Sequence, residues 1–281
     1  MRVARFEAEG RPRLGVAVED GLADATGWVP DDFSLGDHLG DPRALEPLRE
    51  LTAAHPDFAL DEVRFLPPIR DPRRIVCVGV NYDAHRVETG RAKVDHPTLF
   101  VRWPSSLVGH REPMVRPAAS VRFDYEGELA VIIGARGRHV PAERALEHVA
   151  GYACFNDGSV RDFQRHTSQF TPGKNFDRSG SFGPWMVTAD AIPEPAALTL
   201  RTRLNGEVVQ EASTSDLVFD VPALIAYVST FTTLEPGDVI ATGTPSGVGD
   251  RRSPPRYLEP GDVVEVEISG IGALRNPVVD E

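Results

Sequence analysis

The chain has little cysteine, few basic residues relative to acidic ones and no long hydrophobic run, and each shortage excludes a class of protein. Cys77 and Cys154 are the only cysteines among 281 residues. Two cysteines are too few for a zinc cluster of CxxC pairs, and each lies in an apolar run that favours a buried thiol in a reducing compartment. The net charge of −12 argues against nucleic-acid partners, because these need a basic surface.

The absence of long apolar runs also bears on the membrane. No run approaches the ~20 residues that cross a bilayer, and the first residues lack the apolar core of a secretory signal. We therefore expect a cytoplasmic protein with no membrane partner. The composition, with 41% hydrophobic and 26% charged residues, is that of an ordinary globular chain with one large domain or a main and a smaller one.

Short apolar runs predict a mainly β fold. Beyond a hairpin in residues 2–24, we expect strands at 75–80, 98–101, 125–133, 151–156, 198–204, 207–211, 239–241 and 263–268. The dipeptide Asn205-Gly206 between two of these runs predicts a type I′ hairpin turn. Strands that do not alternate regularly with helices favour a closed or rolled β architecture over a doubly wound sheet.

Helices are few in this interpretation, and a proline cluster suggests a domain boundary. Short helices are expected at 44–53 and 141–148, and Asp220 is placed to cap a third, whose buried face would carry Leu224, Tyr227, Val228 and Phe231. Pro67 and Pro68 interrupt the pattern. We therefore predict a small N-terminal module over residues 1–68 and a main domain over residues 69–281.

Acidic residues recur at an otherwise apolar strand. Strand alternation would place Asp124, Glu126 and Glu128 on one face, and the following residues are apolar on both faces, which indicates burial. Buried carboxylates are costly unless they are paired or bind a metal. Asp157 ends a second apolar run. An oxygen-only set of ligands favours Mg²⁺, Mn²⁺ or Ca²⁺ over zinc; the alternative is a solvated strand edge with salt bridges to arginines.

Seven separated blocks then match a known family in order: GVNYDAH at 79–85, DYEGEL at 124–129, NDGSVRD at 156–162, GKNF at 173–176, GPW at 183–185, LNGE at 204–207 and TGTPSGVG at 242–249. Together they resemble the fumarylacetoacetate hydrolase family, from about Ile75 to the C-terminus. The resemblance implies the mixed β-sandwich roll of that family's C-terminal domain, an α+β fold with a small α/β module before it. It also implies a homodimer and a Mg²⁺ or Mn²⁺ cofactor on Glu126, Glu128 and Asp157.

The resemblance also implies a small-molecule 2-oxo or dioxo acid substrate and the residues that act on it. His85 and Glu88 match a catalytic pair on a short lid helix, and three residues of spacing let them touch. Lys174 is assigned to the oxyanion or to a substrate oxygen, with a surface lysine as the alternative. For substrate binding we expect contributions from Tyr82, Arg161, Gln164 and Thr244. Arg161 has a second interpretation, as a partner of a metal carboxylate.

These residues predict a metal-dependent hydrolase that cleaves a C–C bond in an acylpyruvate or related 2,4-dioxo acid, through an enolate that the metal stabilises. An isomerase or decarboxylase of a 2-oxo or 2-hydroxy-diene dicarboxylic acid, including oxaloacetate, is the alternative on the same site. A binding module without activity is a third hypothesis. The loop at 242–249 fits no nucleotide-binding pattern, and no GxSxG elbow is present.

Overall fold

The structure is a computed structural model that describes residues 1–28, 35–41 and 43–281. The described strands are β1 (Arg2–Ala8), β2 (Arg11–Val18), β3 (Gly21–Asp24), β4 (Phe58–Ala59), β5 (Arg64–Leu66), β6 (Ile75–Gly79), β7 (Thr98–Val101), β8 (Leu107–Val108), β9 (Met114–Arg116), β10 (Phe123–Asp124), β11 (Gly127–Ile133), β12 (Val149–Asn156), β13 (Ser159–Val160), β14 (Gly180–Thr188), β15 (Thr199–Leu204), β16 (Glu207–Ser213), β17 (Val239–Ala241), β18 (Val263–Ile268) and β19 (Gly272–Asp280). The helices are α1 (Leu35–His38), α2 (Glu46–Arg49), α3 (Asp83–Thr89), α4 (Arg161–Gln164), α5 (Thr171–Lys174) and α6 (Val221–Phe231). This is the mainly β fold that the sequence predicted.

Two sheets face each other across the main core. Within the described residues, a 12-stranded sheet runs β4-β3-β2-β1-β14-β12-β11-β17-β6-β7, with β5 beside β1 and β8 beside β14. A 5-stranded sheet runs β16-β15-β18-β19-β9, and β10 pairs with β13 alone. Leu129 and Val131 of β11 pack with Leu200 of β15, Val266 of β18 and Leu224 of α6 in one core. The alternate residues of β11 pack on the opposite face of the large sheet.

The N-terminal residues are part of the large sheet. β1 pairs with β14, so that Arg2 lies opposite Val187, and β2 and β3 continue the sheet outward as an antiparallel meander. The backbone of the predicted module therefore hydrogen-bonds directly to the main domain, and the boundary at residue 68 stays a prediction. Among the described helices, none combines the length and apolar character needed to cross a bilayer.

Three local expectations differ from the structure. The strand predicted at 125–133 begins only at Gly127, because Tyr125 and Glu126 leave the ladder between β10 and β11. The helix predicted at 141–148 is a 3₁₀ helix, Ala142–His148. In α6, Asp220 caps the first turn as expected by accepting from Ala223 N–H at 2.8 Å, but Phe231 is 57% exposed because the helix ends there.

Candidate metal centre and its cavity

Antiparallel pairing brings the three candidate carboxylates together. Gly127, the first residue of β11, lies opposite Asn156, the last residue of β12. Glu126, directly before β11, and Glu128, the second residue of β11, therefore meet Asp157, which follows β12 directly. Asp157 N–H donates to the Glu126 carbonyl at 2.8 Å and fixes this corner. All three side chains are buried, and one oxygen from each lies within 4.8 Å of the others.

Three buried cations surround the carboxylates. Lys174 Nζ donates to Glu126 Oε2 at 2.7 Å and to Asp157 Oδ2 at 2.6 Å. Arg161 Nη1 lies 2.5 Å from Glu126 Oε1, and its Nε donates to Asp124 at 2.8 Å. The third cation is Arg102, whose Nη1 donates to Asp157 Oδ1 at 2.7 Å. We call these seven side chains the inner cluster: Arg102, Asp124, Glu126, Glu128, Asp157, Arg161 and Lys174.

Glu128 differs from the other carboxylates of the inner cluster. It accepts the Gly243 N–H at 2.9 Å, but within the described residues no cation forms a salt bridge with it. Burial, and then the nearby charges of Asp157 and Glu126, raise the pKa of Glu128 well above its usual value. For Glu126 burial acts in the same direction, but Lys174 and Arg161 outweigh it and hold its pKa below the usual value.

The inner cluster fits a hard divalent cation. Its four carboxylates face three cations, so one negative charge is in excess when every group is ionised, and repulsion at Glu128 is what a divalent cation would relieve. The candidate ligands are all oxygens, which suits Mg²⁺ or Mn²⁺. A carboxylate offers about four lone-pair positions. Glu126 and Asp157 can therefore accept from Lys174 and still bind a metal, and Glu126, Glu128 and Asp157 are the residues that would hold it.

Helix α3, the lid helix of the sequence prediction, carries the predicted catalytic pair. His85 Nδ1 lies 2.8 Å from Glu88 Oε2, and the second oxygen of Glu88 accepts the Gly247 N–H at 2.9 Å. The carboxylate is thus held from both sides, and only Nε2 of His85 is left for chemistry. The chain enters the lid through Val80, whose φ of 59° is rare for a β-branched residue and costs on the order of 1–3 kcal/mol.

Gly247 connects the lid to the metal corner. Its carbonyl accepts the Tyr125 hydroxyl at 3.0 Å, and Tyr125 is the residue directly before Glu126. Burial raises the pKa of Tyr125 to about 12, so the hydroxyl remains a donor at neutral pH. Gly247 has a φ of 101°, and a Cβ there would lie 2.1 Å from the Val209 carbonyl. Only glycine fits this position, and we call the chain Tyr125–Gly247–Glu88 the lid anchor.

A cavity of about 340 Å³ opens above the inner cluster, a volume that suits a small organic acid. Of the predicted site residues, it brings together His85, Glu126, Arg161, Gln164, Lys174 and Thr244. The others lie behind this wall. Glu88 supports His85, and Glu128 and Asp157 lie in the buried corner beside Glu126. Tyr82 is buried before the lid helix and is not among the lining residues, so its contact with a substrate stays a prediction.

The position of Arg161 is compatible with both roles that the sequence left open. Its Nη1 holds Glu126 and also donates to Gln164 Oε1 at 3.0 Å, which places Gln164 on the cavity wall. Its Nη2 is buried and has no hydrogen-bond partner among the described residues. Arg161 can therefore orient a metal ligand with one nitrogen and offer a donor to a substrate oxygen with the other.

The hydroxyl of Thr244 is already engaged. It donates to the Gly127 carbonyl at 2.9 Å and accepts from Gln210 Nε2 at 2.8 Å. A substrate can reach it only through its remaining lone pair, which accepts but does not donate. Because its only O–H is donated to the Gly127 carbonyl, this hydroxyl has no free proton for a substrate carboxylate, and the contribution of Thr244 to substrate binding stays a prediction.

Sequence reasoning missed Arg102, which is buried and donates to Asp157 Oδ1 at 2.7 Å and to the Gly158 carbonyl at 2.8 Å. An arginine that follows an ordinary strand gives no signal of burial, because its partners come from residues far along the chain. Gly158, which accepts from Arg102, allows close packing at this corner, because a Cβ there would lie 1.8 Å from the Ser179 carbonyl.

Comparison with known proteins agrees with this arrangement. Residues 74–279 match the family described as fumarylacetoacetate (FAA) hydrolase, C-terminal. An oxaloacetate tautomerase, mitochondrial, from Xenopus laevis is 38% identical over 99% of this chain and 90% of its own length. A fumarylacetoacetate hydrolase structure from psychrophilic Exiguobacterium antarcticum is 43% identical, covers 100% of both chains and gives a TM-score of 0.84.

A further solved structure bears on the metal centre. Maleylpyruvate hydrolase from Sphingobium sp. SYK-6, in complex with manganese (II) ion and pyruvate, is 34% identical to this chain. It covers 100% of this chain and 99% of its own, with a TM-score of 0.83. A protein of the same fold therefore binds a divalent cation together with a 2-oxo acid.

Proposed function

The chain belongs to the fumarylacetoacetate hydrolase family, and on that premise we propose that it converts a 2-oxo acid through its enolate, with Mg²⁺ or Mn²⁺ as cofactor. The observation that carries the proposal is that His85, oriented by Glu88 at 2.8 Å, lines the same cavity as Glu126, Arg161 and Lys174. A base and Glu126, one of the three candidate metal ligands, thus face one small volume. This is the pairing that proton removal next to a carbonyl requires.

Each side chain has a task in this proposal. A divalent cation held by Glu126, Glu128 and Asp157 would act as a Lewis acid on the keto oxygen and stabilise the enolate. Neutral His85 donates its Nδ1–H to Glu88 and uses the Nε2 lone pair as the base, and Glu88 then stabilises the imidazolium. Arg161 Nη2 and the Gln164 amide orient the substrate oxygens.

The reaction that we place first is keto–enol tautomerisation of oxaloacetate. His85 takes a proton from C3, the C3–H bond breaks, and a proton is added at the former keto oxygen, so that no water is consumed. Relatives with this name support it, since they align with up to 99% of this chain at 38–44% identity. The sequence alone put hydrolysis first, and the names of these relatives are the reason to change the order.

The second candidate is hydrolysis of an acylpyruvate or a related 2,4-dioxo acid, which the hydrolases of the same fold support. Here His85 takes a proton from water, and the water oxygen adds to the distal carbonyl. The C3–C4 bond then breaks, which gives a carboxylic acid and the enolate of pyruvate, and the enolate takes up the proton. The inner cluster has the same task in both reactions.

One set of assays separates the two candidates. The protein with Mg²⁺ is added to enol-oxaloacetate, and the loss of enol absorbance is compared with that for Mg²⁺ alone and for the His85→Ala variant. Acetylpyruvate is assayed in parallel in H₂¹⁸O. Acceleration of oxaloacetate ketonisation supports the first candidate, and ¹⁸O in the released acetate supports the second. If neither substrate is turned over faster than by His85→Ala, the proposed function is wrong.

Two further expectations stay predictions. The homodimer is implied by family resemblance alone. The cytoplasmic location was predicted from the lack of a secretory signal and of long apolar runs, and several of the relatives are named as mitochondrial proteins.

A further inference from the structure

The cavity wall carries more positive than negative charge, although the whole chain has a net charge of −12. Two of its cations, Arg161 and Lys174, are engaged with the inner cluster. The remaining charged residues of the wall are Arg91, Arg165, Asp250 and Arg251, which we call the outer group. The outer group thus carries three cations and one carboxylate, a local charge that favours a second anion.

Asp250 is the centre of the outer group. Its Oδ2 accepts from Arg165 and lies 3.4 Å from Arg251 Nε, and its Oδ1 accepts the Tyr257 hydroxyl at 2.9 Å. The Asp250 side chain is 5% exposed, whereas those of Arg165 and Arg251 are 46% and 38% exposed. One buried carboxylate therefore holds two guanidinium groups that reach solvent. Since it neutralises only one of them, positive charge and N–H donors are left over.

Arg91 adds a cation from the lid side. It follows Gly90, which ends α3 in a left-handed conformation, and its guanidinium lies 5.1 Å from the centroid of the Phe170 ring. Within the part of the chain that the structure describes, no carboxylate forms a salt bridge with Arg91. It is exposed and lines the same cavity, so its donors are free for a ligand.

An apolar wall connects the two charged ends. Lys174 Nζ of the inner cluster lies 5.1 Å from the centroid of the Phe100 ring. Phe100 in turn packs edge to face on Phe170, with centroids 5.6 Å apart. The Arg91 guanidinium lies over the ring of Phe170. The cavity thus has a cationic and metal-ligating inner end, two aromatic rings, and a cationic outer end. A molecule with two anionic ends and a short carbon chain between them is complementary to a cavity with this arrangement of charged and apolar walls.

We propose that the outer group is a second anion subsite, which binds the distal carboxylate of a 2-oxo dicarboxylic acid whose 2-oxo acid end lies at the inner cluster. A planar carboxylate matches the paired N–H groups of a guanidinium, which is why arginine suits this task better than lysine. The inference rests on the proposed function for the inner end of the ligand. It adds that Arg165 and Arg251 bind the distal carboxylate, so that the site distinguishes a 2-oxo dicarboxylic acid from a 2-oxo monocarboxylic acid.

Binding measurements test the subsite without any turnover. Calorimetry on the Mn²⁺-loaded protein compares two pairs of equal length, 2-oxoglutarate with 2-oxopentanoate and 2-oxoadipate with 2-oxohexanoate. In at least one pair the dicarboxylate should bind roughly tenfold more tightly, the size expected for a hydrogen bond to a charged group. The pair with the larger ratio reports the distance between the two ends of the site.

Variants test whether the arginines of the outer group cause the preference for dicarboxylates. The double variant Arg165→Gln/Arg251→Gln should lower the dicarboxylate affinity roughly tenfold and leave the monocarboxylate affinity unchanged, which also shows that the variant is folded. Arg91→Gln should lower it in the same way but by less, because one cation of three is lost. Arg201→Gln is the matched control: Arg201 pairs with Glu211 at 2.8 Å on the 5-stranded sheet and should change neither affinity.

The outcomes separate this inference from the function on which it rests. If wild-type protein binds each monocarboxylate as tightly as its dicarboxylate partner, the subsite is refuted while the inner site stands. The subsite is equally refuted if the double variant keeps the full preference. If no 2-oxo acid binds to the Mn²⁺-loaded protein, the proposed function fails, and the subsite fails with it.

Discussion

The two ends of the cavity hold their charges in different ways. In the inner cluster every charge is buried, and salt bridges of 2.5–2.8 Å connect all of them except Glu128. In the outer group two arginines share one carboxylate and remain about 40% exposed. Desolvating seven charges is costly and is repaid only where geometry is fixed. In the proposed function the inner end carries the chemistry, and in the proposed subsite the outer end selects the substrate.

The largest effect is expected from removal of one charge at the inner end. Glu128→Gln keeps an oxygen for the Gly243 N–H but removes the carboxylate that has no cation beside it. Loss of an outer partner of a metal ligand already costs roughly 10–100-fold in affinity, so Mn²⁺ affinity should fall by more than about 100-fold. The metal-free variant should be at least as stable as wild type, because a buried repulsion is gone. Calorimetry and thermal unfolding measure the two effects.

Glu211→Gln is the control for that variant, since Glu211 is an exposed strand carboxylate paired with Arg201. It should change neither quantity. Unchanged Mn²⁺ affinity in Glu128→Gln would show that Glu128 is not a ligand, and the contrast between the two ends of the cavity would lose its main support.

The next effect concerns the base. In Glu88→Gln the amide can still accept from Gly247 N–H, but its NH₂ would donate to His85 Nδ1 and place the imidazole proton on Nε2. His85 then cannot act as a base, and kcat should fall by about 100-fold or more. Mn²⁺ affinity should stay unchanged, because Glu88 is not a ligand. Full turnover in this variant would remove the dyad from the mechanism.

A pH effect follows from Glu128. Because its folded pKa is raised without metal, metal binding at a pH below that pKa should release a proton from Glu128. Affinity should then rise about tenfold per pH unit below that pKa. Calorimetry in buffers of different ionisation enthalpy counts the proton, and Glu128→Gln should release none. Binding of Mn²⁺ without proton release would contradict the assignment.

The raised pKa of Glu128 also determines whether the stability of the metal-free protein rises or falls with pH. A carboxyl whose folded pKa lies above its unfolded value of about 4.3 contributes stability that is present below that value. This contribution is lost as the pH rises through the folded pKa. The melting temperature of metal-free wild type should therefore fall with rising pH in that window, relative to Glu128→Gln measured side by side. Equal pH profiles for the two proteins would show that folding does not raise the pKa of Glu128.

The smallest effect is expected at the lid anchor. Tyr125→Phe removes the 3.0 Å bond to the Gly247 carbonyl, a loss typical of about 1 kcal/mol or roughly fivefold. It should appear in kcat, because Gly247 positions Glu88, while Mn²⁺ affinity stays constant. Tyr152→Phe, a buried phenol of β12 outside the cavity wall, is the matched control. A lower Mn²⁺ affinity in Tyr125→Phe would instead mean that Tyr125 positions Glu126.

Local sequence patterns were enough to predict several strands and one turn correctly. Asn205 and Gly206 both have positive φ and join β15 to β16, as their turn preference indicates. Strands at 98–101, 239–241 and 263–268 begin and end as predicted. The alternation around Glu126 was only partly right, because the backbone N–H of Glu126 bonds to Asn156 Oδ1 at 3.0 Å instead of to a neighbouring strand. A side chain 30 residues away decided that detail.

The amino-acid sequence was sufficient to predict the mainly β fold, the three candidate carboxylates and the spacing of His85 and Glu88. These follow from short-range periodicity and from a run of motifs. The groups that hold these side chains become known only from the three-dimensional arrangement of the chain. Arg102 on Asp157, Gly247 on Glu88 and Arg165 on Asp250 come from distant parts of the chain. Their charges and donors acquire a role only when burial removes water as the competing partner.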